Sequence, residues 1–564
     1  MLSYLPVIDH ASPAAAAGPP AGMVAVRAAD LQVRSGELPS ARGAVAVGGA
    51  VTAGMLVAFC HPVVMAPAVV TGGKVLAGGW LPDFVRLGEL ERHLGEGVIE
   101  ELAAVAVAGG RMPAPQRKRI MSFPLVIRLV VAMTLMPDAS YCEALRRVAG
   151  LLATVPFARE WHVPTSKVIT CWRVMVPPSL LEELFWRVAG PLIGDDAPSA
   201  VLLAGMPVCG IDGMLVAVAD TKANREAFGC AGTSAQHGAG SAPFPQLQAV
   251  LVTARAARAT LGAICGKARA GEQTLLARLI RRRPGLFAGR VFVFDRNFPG
   301  HAIITAILDA GGHVVARIKA GISLPDTGQW LPDGSRVSYL NAPSGRTNER
   351  LAVRVAEHNA VLPCGDGEQV SETCTLITTL LDHHAASAGQ IRDTYTMRWP
   401  ASETTFGEDK TTIAGAGDRT SGPVLRSGSP RLVIQEFWAW LTATQLVRAS
   451  AAATLDSDTA AARALRRRQD AGPVTADQVS FTAARHQAIR SMTWSQVTAG
   501  ASLTALAAAA QHAAMSALHT LITTGRHRHS QRAQKARPKF PHTAATKKTV
   551  TGIPQITVFA PSPP

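Results

Sequence analysis

Three carboxylates of this 564-residue chain stand where chemistry could be done: Asp212, Asp295 and Glu403. Asp295 follows the strongly β-forming run Val-Phe-Val-Phe in GRVFVFDRNFPG. Asp212 interrupts two apolar runs in PVCGIDGMLVAVADT, where Gly213 follows it. Glu403 lies in the window Asp393–Lys410, DTYTMRWPASETTFGEDK, together with Tyr395, Arg398, Trp399 and Lys410. Carboxylate oxygens suit hard divalent cations, and two such cations stabilise the attacking and leaving oxygens of phosphoryl transfer. Arg and Lys neutralise phosphates, and aromatic rings stack on bases. Taken alone the window also reads as an amphipathic surface helix, and Asp212 alone also reads as a turn former.

These residues need elements to hold them. The text from Pro207 to Thr221 predicts a buried strand, a tight turn at Asp212–Gly213 and an adjacent strand. Phe244–Leu261 predicts a strand followed by a second strand or hairpin, Gly271–Arg281 a helix, and His301–Leu308 another. Asp295 is thereby delivered at the C-terminal end of a strand, where ligand sites of α/β sheets gather. From His313 to Leu381 the runs HVVARIK, SRVSYL, RLAVRVAEH and CTLITTLL alternate with Asp-Gly, Pro-Ser-Gly and Gly-Asp-Gly turns. This reads as a β insertion, with its last strand returning to the main sheet. Upstream, apolar residues recur at helical spacing over Leu81–Leu102, Phe123–Leu135, from Tyr141, over His162–Val176 and over Leu180–Val188. Downstream, Val424–Arg448 predicts a loop and a long apolar helix, and Ala451–Thr523 is Ala-rich and helical.

The chain carries a formal net charge of +16, which points to a polyanionic partner or to a generally basic composition. Much of it lies in Gly525–Lys548, which has eight Lys and Arg residues and no acid; a solvated arm that binds phosphates is expected. The eight cysteines are scattered without a C-x-x-C pair, so neither a zinc site nor a disulfide framework is signalled. Residues 1–75 are rich in Ala, Gly and Pro and are expected to form a low-complexity, disordered leader. Gly43–Gly73 has no charged residue and is long enough to span a bilayer, yet its prolines and glycines favour the leader reading.

Motifs in a fixed order make the reading specific. The texts IDGMLVAVADT, DTKANREAFG, GEQTLLARLI, VFVFDRNFPG, LPDGS, LITTLLD and LRSGSPRLVIQEFWAWL resemble, in order, a DDE transposase of the bacterial insertion-sequence-4 family. The resemblance covers about residues 80–540. That family has the pattern Y-(2)-R-(3)-E-(6)-K around its catalytic Glu. Tyr395 and Arg398 keep the first interval and Glu403 and Lys410 the last, but four residues, Trp399–Ser402, fill the middle one. Pro400 sits in that gap and would start a helix rather than continue one.

The resemblance implies an α/β fold: a ribonuclease H-like catalytic core at 200–450 with a β-rich insertion at about 313–381. A helical DNA-binding domain at 80–195 would precede it, and a helical C-terminal region at 451–523 and a basic tail at 524–564 would follow. It implies that Asp212, Asp295 and Glu403 hold two Mg²⁺ ions, with Mn²⁺ able to substitute. Arg398 and Lys410 would bind phosphates, Tyr395 would position the same strand, and Trp399 would stack on a flipped base. Water would cut the element end, and the freed 3′-hydroxyl would attack target DNA. The implied partner is double-stranded DNA, held by a homodimer on paired ends in the cytoplasm and nucleoid, with no membrane. Other classes compatible with the residues are an inactive DNA-binding relative and a ribonuclease H-like nuclease without strand transfer. Glu408 and Asp409 read as exposed helix charges, Asp220 as a loop residue, Glu272 as structural with an assisting role at the site as the alternative, and His301 as a helix-start residue.

Overall fold

The structure, a computed structural model, describes residues 69–71, 74–76, 87–95, 97–114, 121–149, 163–189, 202–230, 244–255, 258–319, 322, 324–342, 350–363, 369–396, 424–456, 479–497 and 555–558. Its centre is a mixed sheet. Strands β4 (Met206–Val218), β5 (Gln246–Ala254) and β6 (Thr260–Lys267) form an antiparallel meander. On the other side of β4 lies β7 (Val291–Phe294), paired in parallel, and β8 (His313–Arg317) pairs with β7 in parallel. All four residues of β7 are buried, as expected where aromatic and branched side chains are covered on both faces of a sheet. Parallel pairing needs crossovers. They are α7 (Glu272–Arg282), between β6 and β7, and α8 (His301–Asp309), between β7 and β8.

The strand-rich stretch continues this sheet. Strand β11 (Gln369–Thr378) pairs antiparallel with β8, as expected of a strand returning to the main sheet. Strand β10 (Arg350–Pro363) pairs with β11, and β9 (Arg336–Asn341) with β10. His313–Arg317 is thus a strand of the central sheet itself. The short strands β3 (Leu202–Leu203) and β12 (Val424–Leu425) both pair with β4, β12 in parallel.

Alternation along the strands sorts the core into two faces. Cys209 and Ile211 of β4 and Phe292 and Phe294 of β7 pack with Leu275, Leu276 and Leu279 of α7 and Ile303, Ile304 and Ile307 of α8. On the opposite face, Met214, Val216 and Val218 of β4 pack with Val433, Phe437 and Leu441 of α10 (Pro430–Asp456). Helices α1 (Val98–Ala108), α2 (Phe123–Leu135), α3 (Tyr141–Val148), α4 (Ser166–Met175), α5 (Pro178–Ala189) and α6 (Lys222–Phe228) join this same core. Phe185 of α5, for example, lies 5.4 Å from Trp438 between ring centroids. These helices therefore share their core with the sheet through α10 rather than closing one of their own.

Several expectations are corrected. The helix read over Leu81–Leu102 is a 3-10 turn at Gly88–His93 followed by α1. Gly95 (φ +85°) and Gly97 (φ +69°) take left-handed conformations that an α-helix excludes and so break it. In the leader, Val69–Thr71 (β1) pairs with Lys74–Leu76 (β2) across Gly72–Gly73. In the tail, Gln555–Val558 (β13) pairs with β10. Helix α11 (Phe481–Val497) lies within the Ala-rich region. Among the described residues no helix is long and apolar enough to cross a membrane.

A buried polar cluster ties α4 to α10. Arg173 is fully buried; its Nε donates to Gln435 Oε1 at 3.1 Å and an Nη to Ser427 Oγ at 3.0 Å. Gln435 Nε2 donates in return to the carbonyls of Arg173 and Val176, each at 2.9 Å. Glu436 accepts from the backbone N–H of Arg426 at 3.2 Å and of Ser427 at 3.0 Å. This cluster anchors the chain just after β12. Replacing one partner strands a buried cation, so Gln435→Leu is expected to cost about 2–3 kcal/mol. Urea unfolding of the full chain would measure this, and a loss below ~0.5 kcal/mol would contradict it.

Candidate catalytic carboxylate site

Asp212 lies within β4, six residues from its start, and does not terminate a strand. The expected tight turn at Asp212–Gly213 is replaced by a continuous strand, because β5 pairs with β4 without interruption from Cys209↔Ala254 to Ala217↔Gln246. Asp295 directly follows β7, as its sequence context predicts. The parallel ladder between β4 and β7 ends at Ile211↔Phe294. Asp212 and Asp295 are the next residue on each strand, roughly one strand spacing (about 4.8 Å) apart. Ile211 and Phe294 point to the face covered by α7 and α8. By alternation the two aspartates are directed to the other face.

The sheet is notched here. On the β7 side, pairing to β4 stops at Ile211 and resumes only at Ala217↔Val424, where β12 arrives. Among the described residues no strand covers the 212–216 edge between them. Both aspartates are half-buried at the notch. Each accepts the backbone N–H of the following residue: Gly213 N–H to Asp212 Oδ1 at 2.8 Å, and Arg296 N–H to Asp295 Oδ1 at 2.7 Å. These bonds set the carboxylate rotamers. Asp295 also accepts at its carbonyl from Phe298 N–H at 3.0 Å, closing the turn that leads to α8.

A third carboxylate reaches the notch from the other face. Glu272 opens α7 and sits directly over Gly213. A Cβ placed on Gly213 would lie 2.7 Å from Glu272 Cγ and closer still to its carboxylate, so the absence of a side chain at 213 makes the room. Gln248, a buried residue of β5, donates from Nε2 to Glu272 Oε1 at 3.3 Å. Burial raises the Glu272 pKa, the charge of Asp212 raises it further, the Gln248 bond opposes this, and Asp295 adds to the rise. Glu272 thus lies on the α7 face of Gly213, opposite the face to which the two aspartates are directed. The signal in the sequence is Gly213, since glycine inside a strand marks close approach of another group.

The window that holds Glu403 is reached from α9 (Ala388–Thr396). Its start is fastened three ways. Ser387 and Gln390 cap it reciprocally, with Ser387 N–H donating to Gln390 Oε1 at 2.8 Å and Gln390 N–H to Ser387 Oγ at 3.3 Å. Asp333 Oδ2 accepts Ala388 N–H at 2.8 Å, and buried Arg354 donates to the Ala386 carbonyl. Ile391 and Tyr395 of α9 pack on Val208, Val291 and Val293. These residues lie on the face toward which Asp212 and Asp295 are directed. The structure thus brings Asp212, Asp295 and Glu272 to the notch and Tyr395 to the face below it. Arg398, Trp399, Glu403, Glu408, Asp409 and Lys410 lie outside the described residues. Asp220 is an exposed loop residue held by Arg225, with contacts of 2.5 and 2.7 Å, and that bond lowers its pKa. His301 begins α8. Among the described residues no three Asp, Glu, His or Cys side chains close on one point as a complete metal site.

Fold and site together define a mixed α/β protein with an acidic notch at the end of a parallel strand pair. No protein-family model matches the chain, and no characterised protein matches it in sequence. Among solved structures it is similar to the cryo-EM structure of a piggyBac transposase synaptic complex with hairpin DNA. The TM-score is 0.35 and the identity 7%, over 76% of this chain and 84% of that one. A likeness so distant assigns no residue here.

The electrostatics of Glu272 have a consequence for stability. A carboxyl whose folded pKa is raised carries no penalty below the ordinary glutamate range and destabilises the fold once pH rises through the raised value. Glu272→Gln should therefore raise the melting temperature at pH 7 in the absence of divalent cations, with the gain vanishing near pH 4. Scanning calorimetry at the two pH values measures both effects, and a lower melting temperature at pH 7 would refute this account.

Proposed function

We propose that the chain is a DDE-type transposase of the insertion-sequence-4 kind, acting on double-stranded DNA through a ribonuclease H-like core. The observation that carries this reading is the placement of Asp212 and Asp295 as the first residues beyond the β4–β7 ladder, turned to one face of the sheet. A three-strand antiparallel meander with two parallel strands added beside its first strand is the order a ribonuclease H-like core requires, and it supports the reading. So do the sequence motifs that run from IDGMLVAVADT to LRSGSPRLVIQEFWAWL.

The donor set fits Mg²⁺, because Asp212 and Asp295 offer hard carboxylate oxygens directed to one face of the sheet. Asp212, Asp295 and Glu403 would hold two such ions. Bound there, divalent cations lower the pKa of water and stabilise the departing oxygen of a phosphodiester. The chain's own residues do the rest. The Gly213 and Arg296 N–H groups orient the two carboxylates. Arg398 and Lys410 would neutralise phosphates next to the cut, while Tyr395 and Trp399 would guide the strand and its bases. The product is a free 3′-hydroxyl that joins to target DNA, without a covalent protein–DNA intermediate. A homodimer would hold the paired ends.

Asp212→Asn and Asp295→Asn should each reduce Mg²⁺-dependent cleavage of a plasmid bearing the element ends by at least 10³-fold while end binding persists. Cleavage retained in either variant would exclude the aspartate pair as the catalytic centre. Strand-transfer products from the wild-type chain support a transposase, and cleavage without them would identify a nuclease. Arg398→Ala should weaken binding and reduce the slope of log K against log salt by about 0.9 for one lost phosphate contact.

A further inference from the structure

The C-terminal half of α7 and the residue that follows it carry Arg278, Arg281, Arg282 and Arg283, and all four are exposed. Cations at the end of a helix complement its dipole. Arg278, however, stands three and four positions from Arg281 and Arg282, the spacing at which like charges on a helix repel. Acids do not cancel the group. Glu182 of α5 pairs with Arg282 at 2.9 Å, and among the described residues Arg278, Arg281 and Arg283 have no carboxylate partner. Arg283 is held by a ring instead: its guanidinium lies 4.6 Å from the centroid of Trp186 on α5. That indole has a prepared seat on β6. A Cβ placed on Gly262 would lie 3.1 Å from Trp186 Cη2 and closer still to Leu286 Cδ2, so the missing side chain at 262 lets both lie on the strand. A guanidinium stacked on a ring keeps the N–H donors along its edge available.

Topology puts these arginines away from the notch. Helix α7 begins beside Gly213, and its far end leads through Pro284–Leu286 into the start of β7, whereas Asp295 follows the end of β7. The helix has 11 residues and is therefore on the order of 16 Å long. It covers the face of the sheet opposite the one to which Asp212 and Asp295 are directed. We propose that Arg278, Arg281 and Arg283 form a second phosphate-binding surface, which takes the backbone of duplex DNA outside the segment that enters the notch. The proposal takes its partner from the reading of the chain as a DNA-acting protein, but its site shares no residue with the notch. Charge complementarity selects the occupant: exposed guanidinium forks unmatched by acids suit phosphate oxygens. Such contacts position a duplex without reading its sequence. Bound phosphates would also remove the repulsion among the arginines, which the fold leaves standing.

The test is binding of the full-length chain to a fluorescein-labelled duplex of arbitrary sequence, followed by anisotropy across a salt series. The double variant Arg278→Gln/Arg281→Gln removes two cations without breaking an ion pair among the described residues. It should bind about 10-fold or more weakly near ~0.1 M salt and lower the slope of log K against log salt by about 1.8, the value of two phosphate contacts. Arg283→Gln alone should lower the slope by about 0.9. Melting temperatures should not fall in the double variant, since it relieves like-charge contacts on the helix. The control Lys222→Gln/Lys267→Gln removes the same charge from exposed positions on α6 and β6. Its slope should stay within ~0.5 of wild type. If the arginine variant keeps the wild-type slope and affinity, or if the lysine control loses as much, the inference is overturned while the chain remains a DNA-binding protein. If the wild-type chain binds no duplex, the DNA reading itself fails and this surface with it. Tighter wild-type binding of polyglutamate than of the duplex, lost in the arginine variant, would assign the surface to an acidic protein partner and also overturn the inference.

Discussion

The ladder between β4 and β7 is the constraint on which the site depends. It is parallel and short, and it stops at Ile211↔Phe294. Parallel pairing fixes which residues stand side by side and, through the pleat, which face they use. Two aspartates separated by 83 positions in the chain, 212 and 295, become neighbours because each follows the last paired residue. Were the register moved by one, one carboxylate would turn into the apolar layer of α7 and α8. The core forbids it: Ile211, Phe292 and Phe294 already fill that layer, and a one-residue slip would reverse every side chain of the strand.

Around that ladder, the described elements frame the notch. The central sheet is covered on one face by α7 and α8 and on the other by α10 with the upstream helices. Strand β12 rejoins β4 at Ala217, so the gap between Ile211 and Ala217 is framed on both sides. The buried Arg173–Gln435–Ser427 cluster fastens the chain immediately after β12. The capping of α9 by Ser387, Gln390 and Asp333 fastens the chain ahead of the 397–423 segment, which carries Glu403. Both ends of the segment that completes the proposed triad are therefore tied down by polar networks. Such networks specify geometry where apolar packing alone would tolerate sliding.

Charge provides the complementary logic. Burial raises the pKa of Glu272, and the charges of Asp212 and Asp295 add to the rise. Proteins commonly store such strain at functional sites, and a cation or a polyanion-bound cation relieves it. The overall charge of +16 has the opposite sign to the notch.

Much of this was written in the residues themselves. The Val-Phe-Val-Phe run ending at Asp295, the helical periodicity of Phe123–Leu135 and the long apolar helix after Val424 are local patterns, and each is an element of the fold. The carboxylate types and the motif order carry the expectation of metal-assisted phosphoryl transfer, which stays a proposal. Local pattern misread Asp212–Gly213 as a turn, because a strand that continues through Asp-Gly is held by its partner β5 and not by its own preferences. It left the seat of Glu272 open, since the meaning of Gly213 depends on which helix lies above it. It read the upstream helices as a module of their own, whereas their apolar faces are buried against α10 and the sheet. Sequence determined which groups the chain has and which elements carry them. Only tertiary structure decided which stand together, because strand register and the seating of one helix on another are set by contacts between residues far apart in the chain.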